Sequence, residues 1–250
     1  TPVSATNANP SSVGAQSGIT TVAGTSNGDV KVRAGTGNHA LTVSNAITTT
    51  AGTTGVASGA VVLEAGGAIT LGTGSITTSS FGNAAAGDVF IHQVSGNTNT
   101  ITLTGAVSAK GGATGTAGAS SDGGKVTVWN EAGAISLDGT IDVSKNASGT
   151  NDGAIRLKAS GNITDTTNAS LVGDTNGSLS AYSTGGKITL TQGATTAGTA
   201  SGNLGDGTKG HKLATVAFKT DTAAGTDGSI TYLDQTGLTV GSVTAGATTP

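Results

Sequence analysis

One short pattern constrains this chain more than any other feature: a glycine, any residue, an aliphatic position, any residue, and a second apolar position. It recurs as GDVKV from Gly28, GAVVL from Gly59, GDVFI from Gly87, GKVTV from Gly124, GAIRL from Gly153 and GSLSA from Gly177, with a degenerate copy, ATVAF, from Ala214. The steps are 31, 28, 37, 29, 24 and 37 residues. They vary too much for a helical repeat, yet each suits one turn of a solenoid.

A second short run follows each copy at a nearly fixed offset: ALTV from Ala40, AITL from Ala68, TITL from Thr100, AISL from Ala134, NITD from Asn162, KITL from Lys187 and SITY from Ser229. A third comes six to eight residues later, near Ala46, Ser75, Ala106, Thr140, Ala169, Ala194 and Gly237. Side chains alternate across a strand, so the first and third apolar positions of a run share a face. This places Val30, Val61, Val89, Val126, Ile155, Leu179 and Val216 in one inward ladder, and Leu41, Ile69, Ile101, Ile135, Ile163, Ile188 and Ile230 in another. Stacked about 4.8 Å apart, β-branched residues fill such a narrow core well.

The predicted fold is therefore all-β: a right-handed parallel β-helix of about seven turns with three short strands each. Composition agrees. With 43 glycines, 2% aromatic and 10% charged residues, a bulky Leu/Phe/Trp core is out of reach. Yet only 3 prolines and regularly spaced aliphatics separate the chain from disordered sequences. An antiparallel sandwich would call for strands of about five to six residues and frequent hairpin signals, and Asn176-Gly177 is one of few such pairs. Glycines are expected at corners, where a Cβ would clash. Asp165 departs from the pattern: it falls where the second strand carries an inward apolar residue, so either that strand ends at Ile163 or the Asp sits at a corner.

The expected organisation is an N-terminal linker, partial turn or donated strand over 1–27, the solenoid over 28–244, and a tail over 245–250. The start at Thr1 reads as that of a processed or excised segment. Length variation gathers between the third strand and the next first strand, in AGTTGVAS, FGNAAA, KGGATGTAGASSDG, KNASGTND, GDTN and AGTASGNLGDGTKGHK. Long loops should thus form a Gly/Ala/Ser/Thr ridge at one corner; variable loops without a role are an equally good account.

Read outward, the first strands give a column of Arg33, Glu64, His92, Trp129, Lys158, Tyr182 and Lys219, beside Lys31, Val62, Phe90, Thr127, Arg156, Ser180 and Ala217. In so plain a chain, the single Trp, one of 2 Tyr and one of 3 Phe gather on one face. Aromatic rings and guanidinium forks suit sugar rings and partner proteins. The candidate contact residues are Arg33, Phe90, His92, Trp129, Arg156 and Tyr182. The plainer alternative is that bulky residues cover the widest sheet and hold its register. The second face presents Thr42, Thr70, Thr102, Ser136, Thr164, Thr189 and Thr231, a hydroxyl ladder that strand propensity explains. An ice-binding surface would need a second Thr column; Ser44, Gly72, Thr104, Asp138, Thr166, Thr191 and Leu233 do not supply it.

Other functions find little support. A net charge of -3 without basic runs gives no attraction for nucleic acid. No stretch approaches the roughly 20 apolar residues of a spanning helix, so no membrane insertion is expected. There is no cysteine, and His39, His92 and His211 fall on different turns, so no zinc site is expected. Pieces such as GDGTKG and SSDGGK offer one acid each, short of a calcium loop. No cofactor is expected. The 14 acids are scattered. Asp138 and Asp142 lie a corner apart with no basic group converging, so the chain is not expected to be an enzyme, a polysaccharide-processing β-helix enzyme being the less favoured reading.

The units GAVVLEAGGAITLGTGSITTSS from Gly59 and GKVTVWNEAGAISLDGTIDVSKNASG from Gly124 resemble the repeats of filamentous-haemagglutinin-type large exoproteins, over roughly Gly28 to Val240. The resemblance implies a secreted bacterial cell-surface adhesin exported by two-partner secretion, with a host or neighbouring-cell surface protein or glycan as partner. A solenoid end also exposes strand edges that another chain can pair. End-to-end self-association into a filament, sheath or surface layer is therefore the alternative.

Overall fold

The computed structural model describes residues 3–6, 18–21, 28–51, 55–82, 84–94, 96–112, 121–146, 149–166, 168–191, 210–223, 226–235 and 237–242. Two strands, β1 (Val3–Thr6) and β2 (Ile19–Thr20), come first. Five three-strand turns follow: β3 (Val30–Ala34), β4 (Leu41–Val43) and β5 (Ile47–Thr48); β6 (Val61–Ala65), β7 (Ile69–Leu71) and β8 (Ile76–Thr77); β9 (Val89–Gln93), β10 (Ile101–Leu103) and β11 (Val107–Ser108); β12 (Lys125–Asn130), β13 (Ile135–Leu137) and β14 (Thr140–Asp142); β15 (Ala154–Ala159), β16 (Ile163–Asp165) and β17 (Ser170–Val172). The chain closes with β18 (Ser178–Ser183), β19 (Ile188–Leu190), β20 (Thr215–Thr220), β21 (Ile230–Tyr232) and β22 (Thr239–Val240).

These strands build three parallel sheets. The first holds nine strands in the order β1-β3-β6-β9-β12-β15-β18-β20-β22, the second seven from β4 to β21, the third six from β2 to β17. Consecutive turns pair in parallel with like over like: Val30 on Val61 on Val89 on Val126 on Ile155 on Leu179 on Val216. The second sheet repeats this from Leu41 through Ile69, Ile101, Ile135, Ile163 and Ile188 to Ile230. Both ladders predicted from sequence are present. The core is this aliphatic column, fully buried from Val61 to Leu190 and looser at its far end, where Ile230 is 43% exposed. Each enclosed Leu or Ile contributes about 1.5–3 kcal/mol, so many small strands together offset the scarcity of aromatics.

Glycine precedes most first strands for a reason of stacking. A Cβ on Gly124 would lie 2.5 Å from the Gly87 carbonyl oxygen, and on Gly59, Gly87 and Gly153 it would meet the carbonyl of the preceding glycine of the column more closely still. None of these four has a left-handed backbone. What excludes a side chain is the turn beneath. Threonine locks the same corner in three turns, where the hydroxyls of Thr21, Thr49 and Thr78 each donate to the carbonyl of Gly28, Gly59 and Gly87 at 2.6 Å.

The last turns depart from the sequence reading. The run from Ala194 falls outside the described residues. At that turn Lys212 bridges to Val172 in the third-sheet position, and His211 bridges onward to Asp234. The run ATTA carries nothing bulkier than Thr, whereas GHKL supplies His211 and Leu213, both 0% exposed, to fill the core. The insertion before Gly210 thus joins the second sheet to the third position, unlike the earlier ones, which precede a first strand. The run from Gly237, expected on the third face, instead adds β22 to the first sheet beside β20. At the other end Val3–Thr6 pairs with β3, Val3 opposite Val30.

Candidate contact face

The outward face of the first sheet is a grid fixed by register. Arg33, Glu64, His92, Trp129, Lys158, Tyr182 and Lys219 are partners in successive turns, and so are Lys31, Val62, Phe90, Thr127, Arg156, Ser180 and Ala217. The turn spacing of about 4.8 Å is also close to the distance at which flat side chains stack. The first column uses this. His92 and Trp129 stack with centroids 4.4 Å apart at 18°. From the next turn Lys158 Nζ covers the Trp129 ring at 4.6 Å. Trp129 is therefore sandwiched, its faces taken by neighbours in its own column.

The rest of that column is likewise engaged. Arg33 Nε donates to Glu64 Oε2 at 2.7 Å, and Lys31 Nζ lies 3.4 Å from the same oxygen. Burial pushes the Glu64 carboxyl up, but the Arg33 hydrogen bond and the two cationic charges outweigh it and hold it below its ordinary range. His92 Nε2 lies 2.9 Å from Glu131 Oε1 and its Nδ1 3.9 Å from Glu64 Oε1. Tyr182 Oη donates to Asp221 Oδ2 at 2.6 Å, while Lys219 Nζ donates to that oxygen at 2.9 Å and lies 5.1 Å from the ring. The bond to Asp221 pushes the Tyr182 hydroxyl up, and Lys219 holds Asp221 down.

Of the six candidate contact residues, Arg33, His92, Trp129 and Tyr182 are thus bound into contacts along the rod. Phe90 tilts against His92 at 5.2 Å and lines a shallow groove of about 260 Å³ with Asp88, Val89, Lys125 and Thr127. A second groove of about 230 Å³ runs between Trp129, Glu131, Lys158, Ser160 and Thr184. Arg156 is exposed in the middle of β15. Both grooves fall below the roughly 300–1,000 Å³ of enclosed small-molecule pockets.

Sequence reasoning missed a buried polar cluster near the C-terminal end. The strand does not end at Ile163: Asp165 is the last residue of β16, in register with Leu137, and its side chain is fully buried. It accepts from Thr191 N at 3.1 Å and faces His211 Nε2 at 3.1 Å. The Leu171 amide donates to His211 Nδ1 at 3.1 Å, which leaves Nε2 as the nitrogen that donates to Asp165. Tyr232 stacks on His211 at 5.5 Å and donates to Asp234 at 2.7 Å, and burial drives its hydroxyl upward. The irregularity at Asp165 was the available signal. Its partner lies 46 residues on, behind the long insertion, where no periodicity points to it.

The pair Asp138 and Asp142 does not converge on a reaction site. Asp138 accepts from Thr166 and from Asn168, the latter at 3.1 Å. Asp142 accepts from the Ser144 amide at 2.9 Å and, against expectation, meets a basic group, Lys110 Nζ at 3.7 Å. Among the described residues no three His, Asp or Glu side chains cluster as metal ligands.

Fold and face together define a class: a parallel β-solenoid whose widest sheet carries an outer ladder of stacked and ion-paired side chains. No protein-family model, curated protein or solved structure matches the chain.

Proposed function

We propose that this chain is a structural and adhesive repeat region of a secreted bacterial cell-surface protein, acting by surface contact rather than catalysis. The observation that carries the reading is the unbroken register of the nine-stranded first sheet, with outward side chains paired or stacked from Arg33 to Lys158 and again from Tyr182 to Lys219. Such a ladder stiffens a rod and presents a long, shallow surface, which serves spacing and contact. The resemblance of the repeats to large exoproteins supports secretion. The test is binding of the fluorescently labelled chain to intact animal and bacterial cells, read by flow cytometry against a heat-unfolded control. Saturable binding that unlabelled folded chain competes away is expected; equal binding by folded and unfolded chain overturns the adhesive reading.

A second reading, end-to-end self-association, rests on a specific feature. In the last turns Ile230, Leu238 and Val240 are 43%, 38% and 75% exposed, whereas their ladder neighbours Ile188 and Val216 are buried. Apolar strand edges of this kind pair readily with another chain. Filaments that grow with concentration under negative-stain electron microscopy favour this reading; short single rods at every concentration overturn it.

A further inference from the structure

Charge on the first sheet is neutralised almost everywhere, and the exception is local. Of the ten described Lys and Arg residues, Lys31, Arg33, Lys110, Lys125, Lys187, Lys212 and Lys219 lie within ion-pair distance of a carboxylate. Lys145 donates to the Thr150 carbonyl at a corner, 3.5 Å away. Arg156 and Lys158 remain. They stand on the same outward face of β15, two residues apart, and among the described residues Lys158 has only the Trp129 ring.

The groups around Arg156 are equally unspent. Its register partner one turn back is Thr127, whose buried Oγ1 has no hydrogen-bond partner. One turn on it faces Ser180, half-buried in β18 and with no hydrogen-bonding partner for its hydroxyl among the described residues. The grid thus offers a guanidinium fork beside the half-buried Ser180 hydroxyl, with an ammonium about 7 Å along the strand.

We propose that this grid binds an acidic glycan through a sugar carboxylate, a deepening that rests on the adhesive reading above. The fork of Arg156 takes the planar carboxylate in a bidentate pair. Ser180 exchanges a hydrogen bond with a ring hydroxyl, and Lys158 meets the charge of the following sugar. An acidic protein segment is the poorer occupant. A protein interface is built around buried aliphatic or aromatic anchors, and among the described residues the exposed large apolar ones, Phe81, Ile230, Leu238 and Val240, all lie off this face. Stacking of a sugar on Trp129 is not part of the site, since His92 and Lys158 occupy that ring. Binding is therefore led by charge and weakens with added salt.

The experiment is isothermal titration of the whole chain with an oligogalacturonide and its fully methyl-esterified form, with sialyl-lactose and lactose, and with poly-glutamate. Binding to the free acid of at least one sugar pair and not to its neutral counterpart is expected, and the pair that responds identifies the carboxylate's source. Arg156→Ala should weaken it about tenfold and Lys158→Ala about threefold, with an unchanged melting temperature for Arg156→Ala because that side chain has no partner to lose. Equal binding of acid and neutral forms, no binding of either acid, undiminished binding by the Arg156→Ala chain, or poly-glutamate binding as tight as the sugars each overturns the proposal. The cell-binding assay separates the two readings. Undiminished cell binding by Arg156→Ala removes the acidic-glycan site and leaves adhesion standing; oligogalacturonide binding without any cell binding does the reverse.

Discussion

A glycine that opens a first strand is not chosen for backbone freedom but for the absence of a single carbon. At Gly124 that carbon would sit 2.5 Å from one carbonyl oxygen and 3.2 Å from the Ala109 Cβ. Neither neighbour can retreat, because each belongs to a turn held by further turns. Gly124→Ala should therefore cost about 3 kcal/mol in chemical denaturation, in the range of overpacked interiors. Gly96 is the control: nothing lies within 4 Å of a Cβ built there, and its backbone is not left-handed. Gly96→Ala should stay within about 0.5 kcal/mol of the parent. Equal losses at the two sites would mean that chain entropy, not stacking, sets the glycine pattern.

At the scale of the element, β16 breaks the aliphatic rule at one position and compensates for it by reaching a later segment. An inward Asp165 opposite Leu137 would be ruinous alone, but Thr191 and His211 satisfy it, and the Asp165–His211 contact pins the bridged residues His211 and Lys212 to the second sheet. Asp165→Leu restores the apolar ladder, yet it leaves the His211 Nε2–H buried without an acceptor, and should cost about 2 kcal/mol. Asp165→Asn keeps an acceptor oxygen and should cost about half as much. Adding His211→Phe to Asp165→Leu should recover part of the loss, since the Leu171 and Thr191 amides stay without their acceptors, with a coupling above about 1 kcal/mol in a double-mutant cycle. Additive losses would show that the two side chains act independently. This element also marks the limit of what could be read from the sequence. The two ladders from Val30 and Leu41 were legible because strand period and turn length repeat together. The third-sheet role of Gly210–Lys212 was not, because a long insertion precedes it and a contact across 46 residues leaves no local trace. The outward columns were legible as neighbours. That Trp129 stacks on His92 and Tyr182 is tied to Asp221 and Lys219, leaving Arg156 as the open one, depends on side-chain geometry that the pattern of letters does not carry.

For the whole molecule, the decisive property is that each turn touches only the turns above and below it, so stability should be nearly a sum over turns. Nine strands in the first sheet at about 4.8 Å give a rod of roughly 38 Å. Removing exactly one turn should then shorten the rod without unfolding it, and the register identifies the cut. Excision of Gly59 through Ala86 joins Ser58 to Gly87, so that Val89 and Ile91 come to lie on Val30 and Val32 in place of Val61 and Leu63. The Thr49 hydroxyl, which donates to the Gly59 carbonyl, would find the Gly87 carbonyl in the same place, since Thr78 already uses it in that way one turn later. Ile101 would stack on Leu41 and Val107 on Ile47, which keeps all three ladders apolar. The shortened chain should keep its β circular dichroism and a single cooperative melt, with a denaturant slope reduced in proportion to the surface removed. A deletion from Ile69 to Ala86, which takes the second and third strands of that turn and leaves its first, puts β6 and β9 in succession with no path around the core, and should lose the cooperative melt altogether. If both deletions behave alike, stability is not carried turn by turn and the rod is not the unit of construction.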